Sequence, residues 1–389
     1  MEKPFISVIV TAYNRKEFLL QAVSSALRQT LPRDFYEVIV VKNFEDEEID
    51  RQLKHMGVTN LSSNSVGLGA KVSEALEIAR GDVISPLEDD DMFSSDKLEV
   101  VRSVFERGDV VFLRNRRAFV DTKGRGIGEE RAQPPFAARG SDPGALRKLI
   151  GLNAGCCCSA MSIRRSALYS ADIERLKRLV LGVDSFYFAA SLLHGGVLAY
   201  DPRPLTLYRF HGNQSFINTS SLDAYVRKRC EAAKVYANAY EDLMEMVRNT
   251  PYEVVVKPLL VRSKVVSTVF CRSESKPTTQ ELAYLLRYQN TNLDHPQDFL
   301  LLLGLMTAPI LPPLRGLARR TEFELNKVAR REVAQCGNPK RPRVRPLMGL
   351  GPDLAGVMKK PLPGVFRTVH PCDPRLAQCC LKRPRAPGL

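Results

Sequence analysis

The chain predicts an α/β fold, a mostly parallel central sheet flanked by helices, with a helical C-terminal extension behind it. Over roughly the first 110 residues, short β-branched runs alternate with helix-period stretches. The runs are apolar throughout rather than at every second position, which suits strands covered on both faces. Hydrophobic residues make up 44% of the 389 and charged residues 26%, the composition of a globular protein with a sizeable core.

In chain order, Phe5–Thr11 reads as the first strand. Arg15–Gln29 reads as a helix, with Phe18, Leu19, Ala22, Val23, Ala26 and Leu27 on one face and Asn14 as its N-cap. Tyr36–Val41 is a second buried strand, Gly69–Ala79 a second helix and Asp82–Leu87 a further strand. Leu98–Phe105 is helical and Asp109–Leu113 extended. Arg114–Gly140 reads as a connection with short hairpins, Cys156–Ile163 as a strand and Phe186–Leu193 as a helix. Val197–Tyr200 and Pro204–Arg209 read as two edge strands. From Leu222 the pattern turns helical, the best candidates being Tyr225–Val247, Val254–Phe270 and Gln280–Tyr288. The domains expected are therefore 1–220, 221–336 and a basic, proline-rich tail over 337–389 that buries too little apolar area to order itself.

Four acids in a row, Glu88-Asp89-Asp90-Asp91, close the strand that begins at Asp82. Their charges repel one another, and a hard divalent cation such as Mg2+ or Mn2+, often shared with substrate phosphates, relieves that repulsion. Acids at the carboxyl end of a buried strand also sit where open α/β sheets bind ligands. The plainer reading is a solvated acidic loop. Gly67-x-Gly69 lacks the third glycine of a dinucleotide fingerprint and has no strand immediately before it, which argues against a nicotinamide cofactor.

The formal net charge of +14 is uneven: residues 337–389 carry 11 Lys or Arg against 2 Asp or Glu, leaving the body mildly basic. Such a tail attracts acidic lipid or nucleic acid, but without interleaved aromatics it does not suggest specific nucleic-acid binding. Residues 299–314 are strongly apolar but short and hold three prolines, and Arg315, Arg319 and Arg320 follow. They fall short of a spanning helix, so residues 299–320 read either as a membrane-surface contact or as a segment buried on the α/β body. The chain enters its first strand with no export signal ahead of it, so the expected place is the cytoplasm or the inner face of the membrane, with cysteines reduced.

Seven strings occur in an order and spacing that resemble family 2 glycosyltransferases: Ser7–Arg15, Glu37–Val41, Asn64–Lys71, Ala79–Ile84 leading into Leu87–Asp91, Ser162–Leu168, Gly182–Asp184 and Tyr208–His211. The resemblance covers about residues 5–215. It implies a GT-A fold and an inverting transfer from a nucleotide-diphosphate sugar to an acceptor hydroxyl on a saccharide, a lipid-linked molecule or a protein. By position Asp89, Asp91 and His211 resemble metal contacts. Thr11, Tyr13, Asn43, Lys71, Asp89 and Asp90 resemble the nucleotide-binding positions, and Asp184 the general base. Lys42-Asn43-Phe44-Glu45-Asp46 replaces the family's usual Asp-Asp-Gly-Ser string, which leaves the base undetermined, and Glu88 stands for the usual first aspartate. Two rivals remain open: a nucleotidyltransferase, which would need a glycine-rich basic loop that Thr11–Arg15 lacks, and a non-catalytic nucleotide-sugar or anionic-surface-binding protein on the same fold.

Overall fold

A computed structural model describes residues 4–171, 173–211, 221–271, 276–290 and 314–335. One ten-stranded mixed sheet organises them, in the order β3-β2-β1-β4-β9-β6-β10-β5, with β7 on β6 and β8 on β10. The first block is parallel: β1 (Ile6–Ala12) lies between β2 (Tyr36–Lys42) and β4 (Val83–Glu88), and β3 (Thr59–Ser62) extends it beyond β2. Then β9 (Met161–Arg164) runs antiparallel between β4 and β6 (Val110–Val120). β6 pairs in parallel with β10 (Val197–Arg209), and β7 (Gly126–Glu129) folds back on β6. β5 (Met92–Phe93) and β8 (Phe136–Arg139) pair antiparallel with β10.

Strand periodicity divides the core into two layers. Ile6, Val8 and Val10 of β1, with Tyr36, Val38 and Val40 of β2, face the layer of α1 (Leu19–Leu27), α2 (Glu47–His55) and α4 (Lys97–Phe105). Ile9, Ile39, Val41 and Ile84 face the opposite layer, built by α3 (Leu68–Ile78), α5 (Pro143–Gly151), α6 (Arg165–Ser170), α7 (Ile173–Arg178) and α8 (Val183–His194). Slipping one strand by a residue would exchange these sets, so burial on both faces fixes the register. Gly69 lets α3 meet the segment after α7: its amide donates to Leu179 O at 2.9 Å, and a Cβ there would lie 1.9 Å from Leu176 O.

The helical extension comprises α9 (Leu222–Met246), α10 (Glu253–Phe270), α11 (Thr279–Asn290) and α12 (Leu314–Gln335). Ser221 caps α9 by accepting from the Ala224 amide. Ala239, Leu243, Val247 and Val256 join the core layer that holds α8, so the extension packs on the sheet-bearing body. A second apolar cluster around Tyr225, Val265, Phe270 and Phe323 joins α9, α10 and α12. Cys230 and Cys271 form a disulfide between α9 and the end of α10, against the expectation of reduced thiols, while Cys156, Cys157 and Cys158 are free.

Several expectations need correction. Asn14 is no N-cap: it sits at φ 52°, and α1 begins only at Leu19 behind Phe18. Cys156–Ile163 is not one strand, because Cys158–Ala160 form a 3-10 turn and extension begins at Met161. The two edge strands are a single strand, β10, inside the sheet. Pro204 caused the misreading: it falls where the register with β6 shifts, a bulge that absorbs the missing amide. β6 runs on through Arg114–Val120, where a connection was expected. Among the described residues, no helix is long and apolar enough to cross a membrane. The tail and the apolar stretch 299–313 lie outside the described residues.

Candidate active site

The order of strands sets the location. The chain leaves β1 for β2 on one side and reaches β4 on the other, so the carboxyl ends of β1 and β4 form a topological switch point, where open α/β sheets bind ligands. β4 ends there at Glu88, and the turn Asp89–Asp91 follows, closed by the Asp91 amide on Glu88 O at 3.1 Å.

Three groups from distant segments grip the turn. Arg15 donates to Asp89 and to Asp90, each at 2.5 Å. His211 Nε2 lies 2.9 Å from the same Asp90 oxygen, with its ring against Phe18. The fully buried Arg209 donates its amide to Asp91 Oδ1 at 3.0 Å and its Nε to Asp90 O at 2.8 Å. His211 therefore pairs with Asp90, while Asp91 turns away toward Glu88 and Cys157. Carboxylate oxygens of Glu88 and Asp91 and the Cys157 sulfur all lie within 4.8 Å of one another.

Burial dominates the electrostatics. It pushes Asp89 and Asp91 up to about 7, against Arg15 on the first and the Ser159 hydroxyl and Arg209 amide on the second. Glu88 rises well above the carboxylate range, first through burial and then through Asp90, Asp91 and Asp184. Asp90 goes the other way: burial opposes its charge, but His211 and Arg15 more than offset that and hold it low. Lys97 is buried under the site, donating to Ser159 O at 2.5 Å and Thr206 Oγ1 at 3.1 Å, and burial lowers it to about 7.

Asp184 enters from α8. The N-cap position is Gly182 at φ 81°, so Asp184 is inside the first turn rather than at the cap. It accepts from the Ser185 amide at 2.8 Å and the Cys157 amide at 3.1 Å, while burial raises its pKa. Cys157 links the two halves of the site, because its thiol lies 4.0 Å from Asp91 Oδ2. Its φ of 69° is the left-handed region, uncommon for a residue with a Cβ, and this turn aims the amide at Asp184.

Residues 7–170 match the family model for glycosyl transferase family 2. This segment is a family 2 glycosyltransferase domain. Its mixed sheet, with acids at the end of β4, is the α/β architecture expected from the sequence. The chain is 26% identical over 243 residues to an uncharacterized glycosyltransferase of Nostoc sp. (strain PCC 7120), a match covering 60% of this chain and 74% of that one. It is 29% identical over 100 residues to the poly(ribitol-phosphate) beta-glucosyltransferase of Bacillus spizizenii, covering 24% of this chain and 16% of that protein. A mannosyltransferase from Pyrobaculum calidifontis, solved with GDP-Man and Mn2+, superposes with a TM-score of 0.49 at 14% identity, over 83% of this chain and 85% of that one.

Within the segment that matches the family model, the nucleotide-binding candidates gather about the carboxyl end of β1. Thr11 O accepts from the Asp89 amide at 3.2 Å. Tyr13 is 51% exposed, and Lys71 Nζ lies over its ring, 5.0 Å from the centroid. Lys71 is buried and donates to Ser65 O; burial lowers its pKa. Asn43 is engaged by Asn14 through both its oxygen (2.8 Å) and its nitrogen (3.0 Å). Sequence reasoning missed Arg15, Cys157 and Arg209 as site residues, although Arg15 and Arg209 lie inside strings that carry the resemblance.

Proposed function

We propose that the chain is an inverting glycosyltransferase, taking a sugar from a nucleotide-diphosphate donor to a saccharide-type acceptor hydroxyl, with Asp184 as general base. The observation that carries this reading is the bridge at Cys157, which brings the base candidate and the acidic turn together from segments nearly a hundred residues apart.

The acidic turn suits a divalent cation, Mg2+ or Mn2+. Asp89 Oδ2 is buried without a hydrogen-bond partner among the described residues, and the closeness of the Glu88 and Asp91 carboxylates is a repulsion that a cation removes. Asp91 and Glu88, with Asp89 beside them, would hold it; when bound, it neutralises charge on the departing diphosphate. His211 serves as the partner of Asp90 rather than as a metal contact, so that Arg15 and His211 fix the turn. Tyr13 stacks on the base, and Lys71 braces Tyr13 from behind. In the reaction the acceptor oxygen bonds to the anomeric carbon, the bond from that carbon to the diphosphate oxygen breaks, and the acceptor proton passes to Asp184. Burial raises Asp184 from its ordinary value, which improves it as a base.

The test is turnover of a nucleotide-sugar panel with Mg2+ or Mn2+, for the unaltered protein and for Asp184→Asn. At least one donor is turned over, and Asp184→Asn keeps nucleotide affinity while losing roughly 10²–10⁴ in kcat. No metal-dependent turnover with any donor, or undiminished turnover in Asp184→Asn, would sink the proposal and leave a nucleotide-sugar-binding protein on the same fold.

A further inference from the structure

Two aromatic rings of α9 stand beside the base. Tyr236 and Tyr240, one helical turn apart, stack with centroids 5.7 Å apart and planes 19° from parallel. Both are half-buried. Neither hydroxyl has a hydrogen-bond partner among the described residues, so the pair is not locked into a polar network. Tyr240 reaches the backbone just ahead of α8: a Cβ added to Gly182 would lie 3.9 Å from Tyr240 Cε1 and 3.6 Å from Ala239 Cβ. Gly182 is two residues before Asp184. Burial raises both phenols, and the charges of Asp184 and Cys156 act on both rings, with Glu88 acting on Tyr236 as well. The stack therefore lies on the Asp184 side of the site, whereas the nucleotide candidates Thr11, Tyr13 and Lys71 lie at the ends of β1 and the start of α3.

We propose that Tyr236 and Tyr240 form the acceptor subsite, a platform on which the C–H face of an acceptor sugar ring packs so that its hydroxyl meets Asp184. The inference rests on Asp184 being the base, and it assigns part of the helical extension to substrate recognition. A flat aromatic face matches the apolar face of a pyranose, and a phenol at its rim supplies a hydrogen bond to ring hydroxyls. Tyrosine does this at little entropic cost, having two side-chain torsions to fix.

The experiment uses the full chain with Mn2+, whichever of UDP, GDP and dTDP it binds, and a panel of p-nitrophenyl glycosides as acceptor probes, read by saturation-transfer NMR and titration. The unaltered protein contacts at least one glycoside. Tyr236→Leu and Tyr240→Leu, which keep apolar bulk but lose the aromatic face, weaken that glycoside about tenfold. Tyr236→Phe weakens it less than Tyr236→Leu, and nucleotide affinity and the thermal midpoint hold in all three. Glycoside affinity unchanged from that of the unaltered protein in both leucine variants overturns the platform, as does a protein that binds nucleotide but contacts none of the panel. Failure to bind any nucleotide overturns the transferase reading instead.

Discussion

A Cβ-bearing residue at φ 69° costs of order 1–3 kcal/mol unless its surroundings impose it. At Cys157 that conformation delivers an amide to Asp184. Glycine adopts it freely, so Cys157→Gly retains most of the turnover, whereas Cys157→Val, β-branched and resisting positive φ, lowers kcat at least tenfold with nucleotide affinity kept. Equal kcat in the two variants would show that the backbone turn does not hold the base. The acidic turn gives a pH prediction. Asp91 is raised to about 7 by burial, so the folded state keeps a proton that the unfolded chain releases near pH 4. Metal-free stability therefore falls as pH rises between those values, and the whole cost stands above about pH 7. With a chelator present, Asp91→Asn is more stable than the unaltered protein at about pH 8, and the gap closes toward about pH 4. Urea denaturation across that range measures it, and a gap that widens on acidification would contradict the assignment. The acids and Asp184 are legible in the sequence because a run of four like charges after an apolar strand and an acid opening a helix are local signals. Arg15 and Arg209 are not legible in that way. Their partners lie 74 and 118 residues away, and nothing local separates them from surface arginines.

Elements follow the same rule. Strands and helices with an uninterrupted apolar pattern, such as β1, β2, β4 and α10, are readable within a residue or two. α2 and β3 escape notice, because α2 buries only Ile49 and Leu53 and β3 has no buried position. In the helical extension the informative contact is polar. Glu322 of α12 is 1% exposed and accepts from Arg229 Nε at 2.7 Å and the Tyr225 hydroxyl at 3.1 Å, both on α9. Removing the cation strands a buried carboxylate, so Arg229→Met costs roughly 3–5 kcal/mol. Adding Glu322→Gln to it restores much of that loss. Denaturation of both variants, with hydrogen exchange followed in α9 and α12, checks the pairing; equal stability of the single and double variants would show that the ion pair does not dock α12.

For the whole molecule, charge is unevenly spread along the sequence. The described body holds the sheet and site, while residues 337–389 carry a net +9 of the total +14. Deleting that tail leaves nucleotide affinity and the unfolding transition of the body unchanged. It weakens adhesion to vesicles containing anionic lipid, and the difference shrinks as salt rises. Undiminished adhesion after deletion would show that the tail's charge does not drive it. The sheet's general class is legible from alternation along the chain, but its closing geometry is not, because β10 looks like two fragments until its partners are known. That strand enters between β6 on one side and β5 and β8 on the other, and carries Arg209 at its end, with His211 two residues on. During synthesis, then, the segment matching the family model, which ends at residue 170, leaves the ribosome with its acids lacking Arg209 and His211 and a slot open beside β6. Assembly must wait for a strand made late and paired across some ninety residues of sequence, the kind of distant contact that slows folding. Until it arrives, the nascent chain exposes an unsatisfied strand edge, and that interval is when it is most open to capture by chaperones or to aggregation.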